Sequence, residues 1–194
     1  MSSGDPQTRK RILEKTWQLM ERRQGREVRI DDVASAASVS RQAVYLHFGS
    51  RAGLLIATVR YVDEVKGVEA RLQGVLTAPN APDTLNGLID FWGNYIPEIY
   101  GLAKALLAAR ETDEGAAAAW EDRMRALRDG CRAVIQCLAR EKMLALPWNI
   151  DQAADALWAM LSISVWENLT LECGWTNREY VSRMKALSKR TFVK

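Results

Sequence analysis

The segment from Ile30 to Leu55 reads IDDVASAASVSRQAVYLHFGSRAGLL and contains two short helical patterns separated by a tight turn. In the first pattern, apolar side chains recur at spacings of three and four residues: Ile30, Val33, Ala34 and Ala37. Residues with this spacing share one face of a helix. Ser38 and Val39 then interrupt the pattern. Ser40 follows where a helix N-cap is expected, because its hydroxyl can accept a backbone N–H from the next turn.

The helix that starts after Ser40 has two different faces. Its inner face is apolar and consists of Ala43, Val44 and Phe48. Its outer face carries hydrogen-bonding side chains without an acidic one: Arg41, Gln42, Tyr45 and His47. A short helix with such a face suits the major groove of DNA. A helical hairpin inside a bundle would not require this cluster, so we interpret the segment as a helix-turn-helix that binds double-stranded DNA.

The residues Val39 to Phe48, VSRQAVYLHF, are followed by Gly49-Ser50-Arg51 and by Leu54-Leu55. This pattern resembles the DNA-binding domain of the tetracycline-repressor (TetR) family. The segment from Arg11 to Met20 is similar to the first helix of that family. The resemblance covers residues 8–60, and beyond them only the all-helical layout can be compared.

Three positions depart from the family pattern. Ser38 replaces the usual glycine of the turn, and a non-glycine residue held at positive φ costs on the order of 1 kcal/mol. Arg29 stands where a serine or threonine usually caps the second helix, which weakens the cap but leaves a guanidinium for a phosphate. Arg51 replaces a lysine at the start of the fourth helix and preserves its charge.

The helical patterns along the chain, with no alternating strand pattern longer than four residues, predict an all-α protein of about nine helices. Residues 1–52 would form a three-helix DNA-binding domain with the helix-turn-helix, and residues 53–194 a helical domain for ligand binding and dimerisation. The function implied by the resemblance is that of a transcriptional regulator, a repressor that binds a palindromic operator as a homodimer. A small hydrophobic or aromatic effector would release it. An alternative stays open, in which no small molecule acts and the regulator is constitutive or controlled by a protein partner.

The family pattern also assigns roles within the DNA-binding segment. Arg41 and Gln42 are expected at base edges, because arginine pairs with guanine and glutamine with adenine. Tyr45 and His47 match positions that bind a phosphate or a thymine methyl group. Phosphates at helix N-termini are expected to be bound by Arg29, Ser40 and Arg51. The complete set of residues expected at the DNA is Arg29, Ser40, Arg41, Gln42, Ala43, Tyr45, His47 and Arg51.

The charge distribution agrees with a DNA-binding N-terminal part. The whole chain has a formal net charge of +3. Residues 1–60 contain 11 basic and 6 acidic residues, a net charge of +5, and the remainder has a net charge of −2. Positive charge therefore lies in the same segment as the predicted recognition helix, as expected for a protein that binds phosphates.

The sequence after the helix-turn-helix shows helical patterns throughout. The predicted helices cover residues 51–76, 85–96, 99–110, 114–142, 149–173 and 176–190, and residues 1–7 are expected to be disordered. Residues 77–83 form a loop in which Asp83 is suited to cap the next helix, and Pro97 should end or kink a helix. Asn149 with Gln152 and Thr176 with Glu179 have the spacing of capping boxes.

Large aromatic side chains recur across the helices of the C-terminal part. Flat side chains with polar edges suit a pocket for an apolar or planar organic molecule, although aromatic residues at helical spacing also build ordinary cores. The resemblance implies a pocket between about residues 85 and 168. The side chains expected to line it are Trp92, Tyr95, Trp120, Met124 and Trp158. Glu98, Glu167 and Asn168 could orient a polar group of the ligand.

In the resembled family the last two long helices pack against their symmetry mates as a four-helix bundle. The last helix of this chain offers an apolar stripe of Tyr180, Met184 and Leu187. Leu161, on the preceding predicted helix, is expected at the same interface. These four residues are the predicted dimer contacts.

Several classes of protein are disfavoured by the composition. His47 is the single histidine, and no nucleophile elbow, phosphate-binding loop or dinucleotide motif occurs, so no enzymatic activity is expected. Cys131, Cys137 and Cys173 lack a metal-site spacing, so neither a metal nor a cofactor is predicted. The sequence shows no apolar run of membrane-spanning length and no secretion signal, which predicts a cytoplasmic protein.

Overall fold

The computed structural model describes residues 5–23 and 27–194, and it confirms the all-α fold. Ten α-helices and one π-helical turn occur in these ranges, close to the predicted number of helices. The helices are α1 (Pro6–Arg23), α2 (Ile30–Ala36), α3 (Arg41–Phe48), α4 (Arg51–Val65), α5 (Val68–Leu76), α6 (Ala81–Ala109), α7 (Glu114–Arg140), α8 (Ile150–Met160), α9 (Ile163–Glu167) and α10 (Asn177–Phe192). The π-helical turn covers Asn168–Glu172, directly after α9. Residues 1–4 of the segment predicted to be disordered lie outside the described ranges, whereas Pro6 already begins α1.

The chain divides into two compact units, and the first consists of Met1–Val68 and Ile99–Arg123. Its core is formed by apolar faces of α1 to α4 and of the adjoining parts of α6 and α7. Among its fully buried side chains are Ile12, Leu13, Val33, Ala37, Val44, Leu54, Val62 and Ala119. The predicted helix-turn-helix, α2 and α3, therefore packs on α1 and α4 within this unit.

The turn between α2 and α3 has the strained residue that the sequence predicts. Ser38 has a φ of 53°, in the left-handed region. Two hydrogen bonds hold the turn: the Val39 amide donates to the Ala34 carbonyl over 3.0 Å, and the Arg11 Nε donates to the Ala37 carbonyl over 2.9 Å. The long arginine of α1 thus fixes the end of α2, which sets where α3 begins.

The second unit consists of Glu69–Glu98 and Met124–Lys194. Its fully buried side chains include Leu85, Ile89, Ile96, Ile135, Leu138, Leu157, Tyr180 and Phe192. Helices α6 and α10 approach closely at Gly93, where an added Cβ would lie 2.7 Å from the Val181 Cγ2 and 3.3 Å from the Tyr180 Cε1. The absence of a side chain at Gly93 lets the Tyr180 ring pack into this core.

Three predicted helix boundaries are wrong. The helix predicted over residues 51–76 is broken after Lys66, because Gly67 adopts a φ of 64° between α4 and α5. Pro97 does not end a helix, since α6 continues through it with Ile96 and Leu102 buried on either side. The helix predicted over residues 149–173 ends at Met160, and Ser162 caps the short α9 that follows.

The predicted caps are largely confirmed. The Thr176 hydroxyl accepts the Glu179 amide, and the Glu179 carboxylate accepts the Thr176 amide, which is a complete capping box. The Asn149 side chain accepts the Gln152 amide over 2.9 Å. The start of α6 differs from the prediction, because the Asn80 side chain, not that of Asp83, accepts the amide three residues later.

The division into units does not coincide with the predicted domain boundary at residue 52. Helices α6 and α7 each contribute residues to both units. Packing and function need not divide a chain at the same place. The assignment of DNA binding to residues 1–52, and of ligand binding and dimerisation to residues 53–194, therefore stays a prediction.

Candidate functional site

Helix α3 presents the side chains that the sequence predicts for DNA contact. Arg41, Gln42 and Tyr45 are exposed, whereas Val44 is buried and anchors the opposite face in the core of the first unit. Leu46 is 75% exposed on the same outer side. The outer face of α3 thus offers hydrogen-bond donors and acceptors together with one apolar side chain for a thymine methyl group.

The length and direction of α3 are fixed by local hydrogen bonds at both ends. The Ser40 hydroxyl accepts the Ala43 amide over 3.1 Å, as predicted for the N-cap. At the other end, Gly49 has a φ of 72°, and its amide donates to the Tyr45 carbonyl over 2.8 Å. Ser50 then caps α4 by accepting the Gly53 amide over 3.0 Å. These caps hold α3 as a rigid element, which is what base recognition by side chains requires.

Arg41 has a partner in the free protein that the sequence reasoning missed. Its guanidinium lies 3.3 Å from the Asp31 carboxylate on α2 and 5.8 Å from the centroid of the Tyr45 ring. Both members of the ion pair are largely exposed, at 60% for Arg41 and 66% for Asp31. Exposed pairs contribute little, so the Arg41 side chain remains available to DNA.

Arg29 and His47 lie at the margins of this surface. Arg29 is exposed at the start of α2, and its backbone amide donates to the Asp32 carboxylate over 3.3 Å. Its side chain does not cap α2, because a guanidinium has no hydrogen-bond acceptor. His47 and Ala43 are half-buried on the flanks of α3.

Arg51 is placed differently from the prediction. Its Nε donates to the Val28 carbonyl over 2.9 Å, and its guanidinium forms an ion pair with Asp113. Sequence reasoning treated Arg51 as open to a phosphate because it starts α4, where the family has a lysine. The structure instead commits this side chain to a contact inside the first unit, with a partner 62 residues away.

Asp113 joins this arginine to the start of α7. Its Oδ1 also accepts the Gly115 amide over 2.9 Å and the Ala116 amide over 3.2 Å. Burial opposes the charged carboxylate, but the Arg51 guanidinium and the two amides outweigh that effect, and the pKa of Asp113 lies below its usual value. The carboxylate therefore stays ionised and ties the first turns of α4 and α7 together.

The residues predicted to line a ligand pocket do not all come together. Trp92 is buried in the second unit, and its indole Nε1 donates to the Leu161 carbonyl over 2.6 Å. Trp120 packs instead on the core of the first unit, with Arg110 over its ring at 5.8 Å. Trp158 is half-buried, and the Arg128 guanidinium lies 5.8 Å from its ring centroid. Two further members of the predicted set belong to the second unit, namely buried Tyr95 and half-buried Met124.

Tyr95 lies beside Trp92, with ring centroids 6.1 Å apart, and it also belongs to a second cluster that was predicted only in part from the sequence. Its ring stacks on that of Phe91, with centroids 5.5 Å apart and an interplanar angle of 17°. The Arg71 guanidinium lies over both rings and donates to Glu98. The spacing of Phe91, Tyr95 and Glu98 places them on one face of α6, a signal that was present in the sequence.

Three of the four residues predicted at the dimer interface do not lie on the surface of the chain. Leu161, Tyr180 and Met184 are buried inside the second unit, with at most 2% of their surface exposed. Leu187 is 47% exposed. The stripe on α10 that the sequence suggested for a partner is used instead to pack α10 onto its own chain. A dimer contact through α10 would have to use its other side.

Within residues 5–23 and 27–194, no group of three or more His, Cys, Asp or Glu side chains could hold a metal ion. In the same ranges no helix combines the length and the apolar character needed to span a membrane.

Comparisons with known proteins agree with this geometry. Residues 12–58 match the family model of the bacterial regulatory proteins of the tetR family. The match includes α2, α3 and the turn between them. No curated protein matches the sequence.

Solved structures share the fold over nearly the whole chain. A protein from Rhodococcus sp. described as a TetR-family transcriptional regulator is 20% identical, with a TM-score of 0.74 over 95% of this chain and 97% of its own. A transcriptional regulator from Saccharomonospora viridis, solved in complex with choline, is 18% identical, with a TM-score of 0.75 over 98% and 100%. NalD of Pseudomonas aeruginosa, the secondary repressor of the MexAB-OprM multidrug efflux pump, is 17% identical, with a TM-score of 0.68 over 97% and 96%. At these identities the likeness establishes the fold. Residues 12–58 therefore match the DNA-binding part of the tetR-family regulators, and the chain as a whole shares the fold of these solved structures.

Proposed function

We propose that this protein is a transcriptional regulator of the TetR type and acts as a repressor, which binds a palindromic operator as a homodimer and leaves it when a small-molecule effector binds. The outer face of α3 is the observation that supports DNA binding. There, Arg41, Gln42 and Tyr45 are exposed on a short helix whose two ends are fixed by hydrogen bonds. Arg41 and Gln42 would read base edges, and Tyr45 would contact the backbone or a thymine methyl group.

The homodimer follows from the size of this surface. One short recognition helix reads only a few base pairs, so two copies on two half-sites supply the remaining specificity. Ser40 and Arg29 would position each copy on the phosphates. Arg51 has no part in this proposal, because its side chain is committed to Asp113.

The effector is supported by the relatives that share the fold. The Saccharomonospora viridis protein was solved with choline, and NalD is a repressor of a multidrug efflux pump. By analogy, a small molecule would bind the second unit of this chain. It would act by binding more tightly to the conformation that does not fit the operator, and its differential affinity sets how much DNA binding is lost.

The DNA-binding part is tested with sequences selected from genomic DNA by the full-length protein. Arg41→Ala and Gln42→Ala should each weaken binding to the selected operator by about 1–3 kcal/mol and relax the preference at one base position. Arg125→Ala is the matched control, since Arg125 is an exposed arginine on the part of α7 that belongs to the second unit. If all three variants bound every half-site sequence as the parent does, α3 would not be the recognition helix.

The effector part is tested separately, by thermal shift against a panel of small molecules followed by fluorescence anisotropy on the operator. A ligand that binds the folded protein raises its melting temperature. The proposal expects such a ligand also to reduce operator affinity. A confirmed ligand that leaves operator affinity unchanged would favour a constitutive or partner-controlled regulator.

A further inference from the structure

We propose that Phe91, Tyr95 and Glu98 of α6 form a binding site for an organic cation, and that Arg71 occupies this site in the free protein. We call these three residues the cation site. The proposal names an effector class for the proposed function and depends on that function for its regulatory meaning. The binding site itself rests on the contacts of the second unit.

The geometry of the cation site surrounds a positive group with aromatic faces and a carboxylate. The Arg71 Cζ lies 5.2 Å from the Phe91 ring centroid and 5.3 Å from that of Tyr95. The two rings are nearly parallel, at an interplanar angle of 17°. The Arg71 guanidinium donates to the Glu98 Oε1 over 2.9 Å. One cation therefore contacts two rings and one acid at the same time.

The chemistry of these groups selects the ligand class. The negative face of an aromatic ring attracts a cation, most strongly when the cation is weakly hydrated. Guanidinium and quaternary ammonium ions have this property, whereas a compact ammonium is held by its water. Glu98 adds the opposite charge. A neutral molecule of the same shape would gain only apolar contact, so the site discriminates by charge as well as by size.

The helix that carries Arg71 is weakly anchored. Of the nine residues of α5, all of which the structure describes, only Val75 is fully buried. Leu76, at its end, is 69% exposed. Gly67, which precedes α5, has a positive φ and interrupts the helical backbone between α4 and α5. Isolated helices of this length are not stable in water, so α5 depends on a few contacts with α6, among them the packing of Val75 at Gly87 and the contacts of Arg71.

A soluble organic cation can therefore compete with Arg71 at a small structural cost. Arg71 and Glu98 are both partly exposed, at 30% and 35%, so solvent reaches the cation site from the Glu98 side, whereas Tyr95 is buried. When an external cation takes the place of the guanidinium, α5 loses the Arg71 contacts with α6 and keeps the packing of Val75 at Gly87. Because only Lys66 and Gly67 separate α5 from α4, loosening of α5 changes the constraint on the helix that follows the recognition helix.

The test uses two probes of matched shape on the full-length protein. Choline carries a quaternary ammonium, and 3,3-dimethylbutan-1-ol is its neutral counterpart. Calorimetry should show that choline binds the wild-type protein and that 3,3-dimethylbutan-1-ol does not. Arg71→Ala removes the internal competitor, so it should bind choline ~tenfold or more tightly than the wild type. Arg71→Ala combined with Glu98→Gln should lose this gain.

A second measurement covers the case in which Arg71→Ala folds poorly. Choline added to the wild-type protein should increase the rate of amide hydrogen exchange across residues 68–76 and leave that of α10 unchanged. The proposal is overturned if choline and its neutral counterpart bind equally, or if choline at millimolar concentration binds neither protein and does not alter exchange in α5. Operator binding without any cation is measured in parallel. It tests the DNA-binding function independently, so failure of the cation site is distinguishable from failure of that function.

Discussion

Arg41 shows how a single residue serves two partners. In the free protein its guanidinium rests on Asp31 and on the Tyr45 ring, which keeps it close to the face where DNA would bind. An exposed ion pair of this kind contributes on the order of 0–1 kcal/mol, which a base or phosphate contact can exceed. Asp31 is then left as a negative charge beside the DNA. We expect it to oppose binding to any sequence, and to do so most where no specific contacts compensate.

Substitution of Asp31 by asparagine tests this role. Asp31→Asn should strengthen binding to non-specific DNA several-fold, because a charge that repels phosphates is removed. Binding to the operator should gain less, so the ratio of specific to non-specific affinity falls. Fluorescence anisotropy over a series of salt concentrations measures both affinities. Asp151→Asn is the control, since Asp151 is an exposed, ion-paired acid of the second unit. Equal non-specific affinity for Asp31→Asn and the parent would contradict the prediction.

At the scale of elements, the junction between α3 and α4 depends on a close approach of backbone to backbone. A Cβ added at Gly53 would lie 2.2 Å from the Phe48 carbonyl oxygen, and a backbone atom cannot move aside as a flexible side chain can. Ser50 and Gly53 are also joined by the cap of α4. Glycine at this position therefore allows the recognition helix to end directly against the first turn of α4.

Two glycine substitutions should have opposite effects. Gly53→Ala should lower the free energy of unfolding by about 1–3 kcal/mol through overpacking, and weaken operator binding by shifting α3. Gly74→Ala, in α5, meets open space and has helical backbone, so it should raise the free energy of unfolding by about 0.4–1 kcal/mol. Urea denaturation measures both. A Gly53→Ala protein as stable as the parent would show that the junction is looser than the structure indicates.

The ion pair between Arg51 and Asp113 gives a prediction with a definite dependence on pH. The pKa of Asp113 is lowered in the folded protein, so its stabilising contribution is present above the pKa of the unfolded chain and is lost as pH falls through the folded pKa. Arg51→Met leaves a carboxylate that is only 8% exposed without its cation. This should cost about 3 kcal/mol near neutral pH.

In the Arg51→Met protein, burial is no longer opposed by the guanidinium, so the pKa of Asp113 should rise relative to that of the parent. The stability difference from the parent should therefore shrink as pH falls, because the variant can protonate Asp113. Urea denaturation at mildly acidic and neutral pH measures this change. Arg51→Met combined with Asp113→Asn should remove the pH dependence of the difference. A constant difference at both pH values would place the role of Arg51 in its contact with the Val28 carbonyl alone.

The elements that could be predicted from the sequence are those decided locally. The N-caps at Ser40 and Thr176 and the positive φ of Ser38 could be predicted, because a cap or a turn depends on residues three or four positions apart. The passage of α6 through Pro97 could not be predicted, because burial on both sides of the proline decides it. The commitment of Arg51 to Asp113 depends in the same way on two segments far apart in the chain.

At the scale of the whole molecule, the side of α10 that faces outward decides how two copies could meet. Sequence periodicity identified an apolar stripe on α10, but it could not say whether the same chain or a partner covers it. The structure assigns Tyr180 and Met184 to the core of their own unit. The exposed side of α10 includes Ser182, Ala186 and Leu187, two small residues spaced by four and one large apolar residue. A partner helix can approach closely over such small side chains.

Leu187→Arg is therefore the informative substitution. Leu187 is exposed in the monomer, so the change should leave the free energy of unfolding within about 0.5 kcal/mol. In a symmetric dimer it would bring added positive charge next to Arg183 and Arg190 of both copies. Sedimentation should show a monomer with unchanged helical circular dichroism, and tight operator binding should be lost because one head reads only one half-site. Leu76→Arg, the same change at an exposed leucine of α5, should remain dimeric. Met184→Asp should instead unfold the second unit, because it places a carboxylate in its core. A Leu187→Arg protein that stays dimeric at micromolar concentration would place the interface on a surface other than α10.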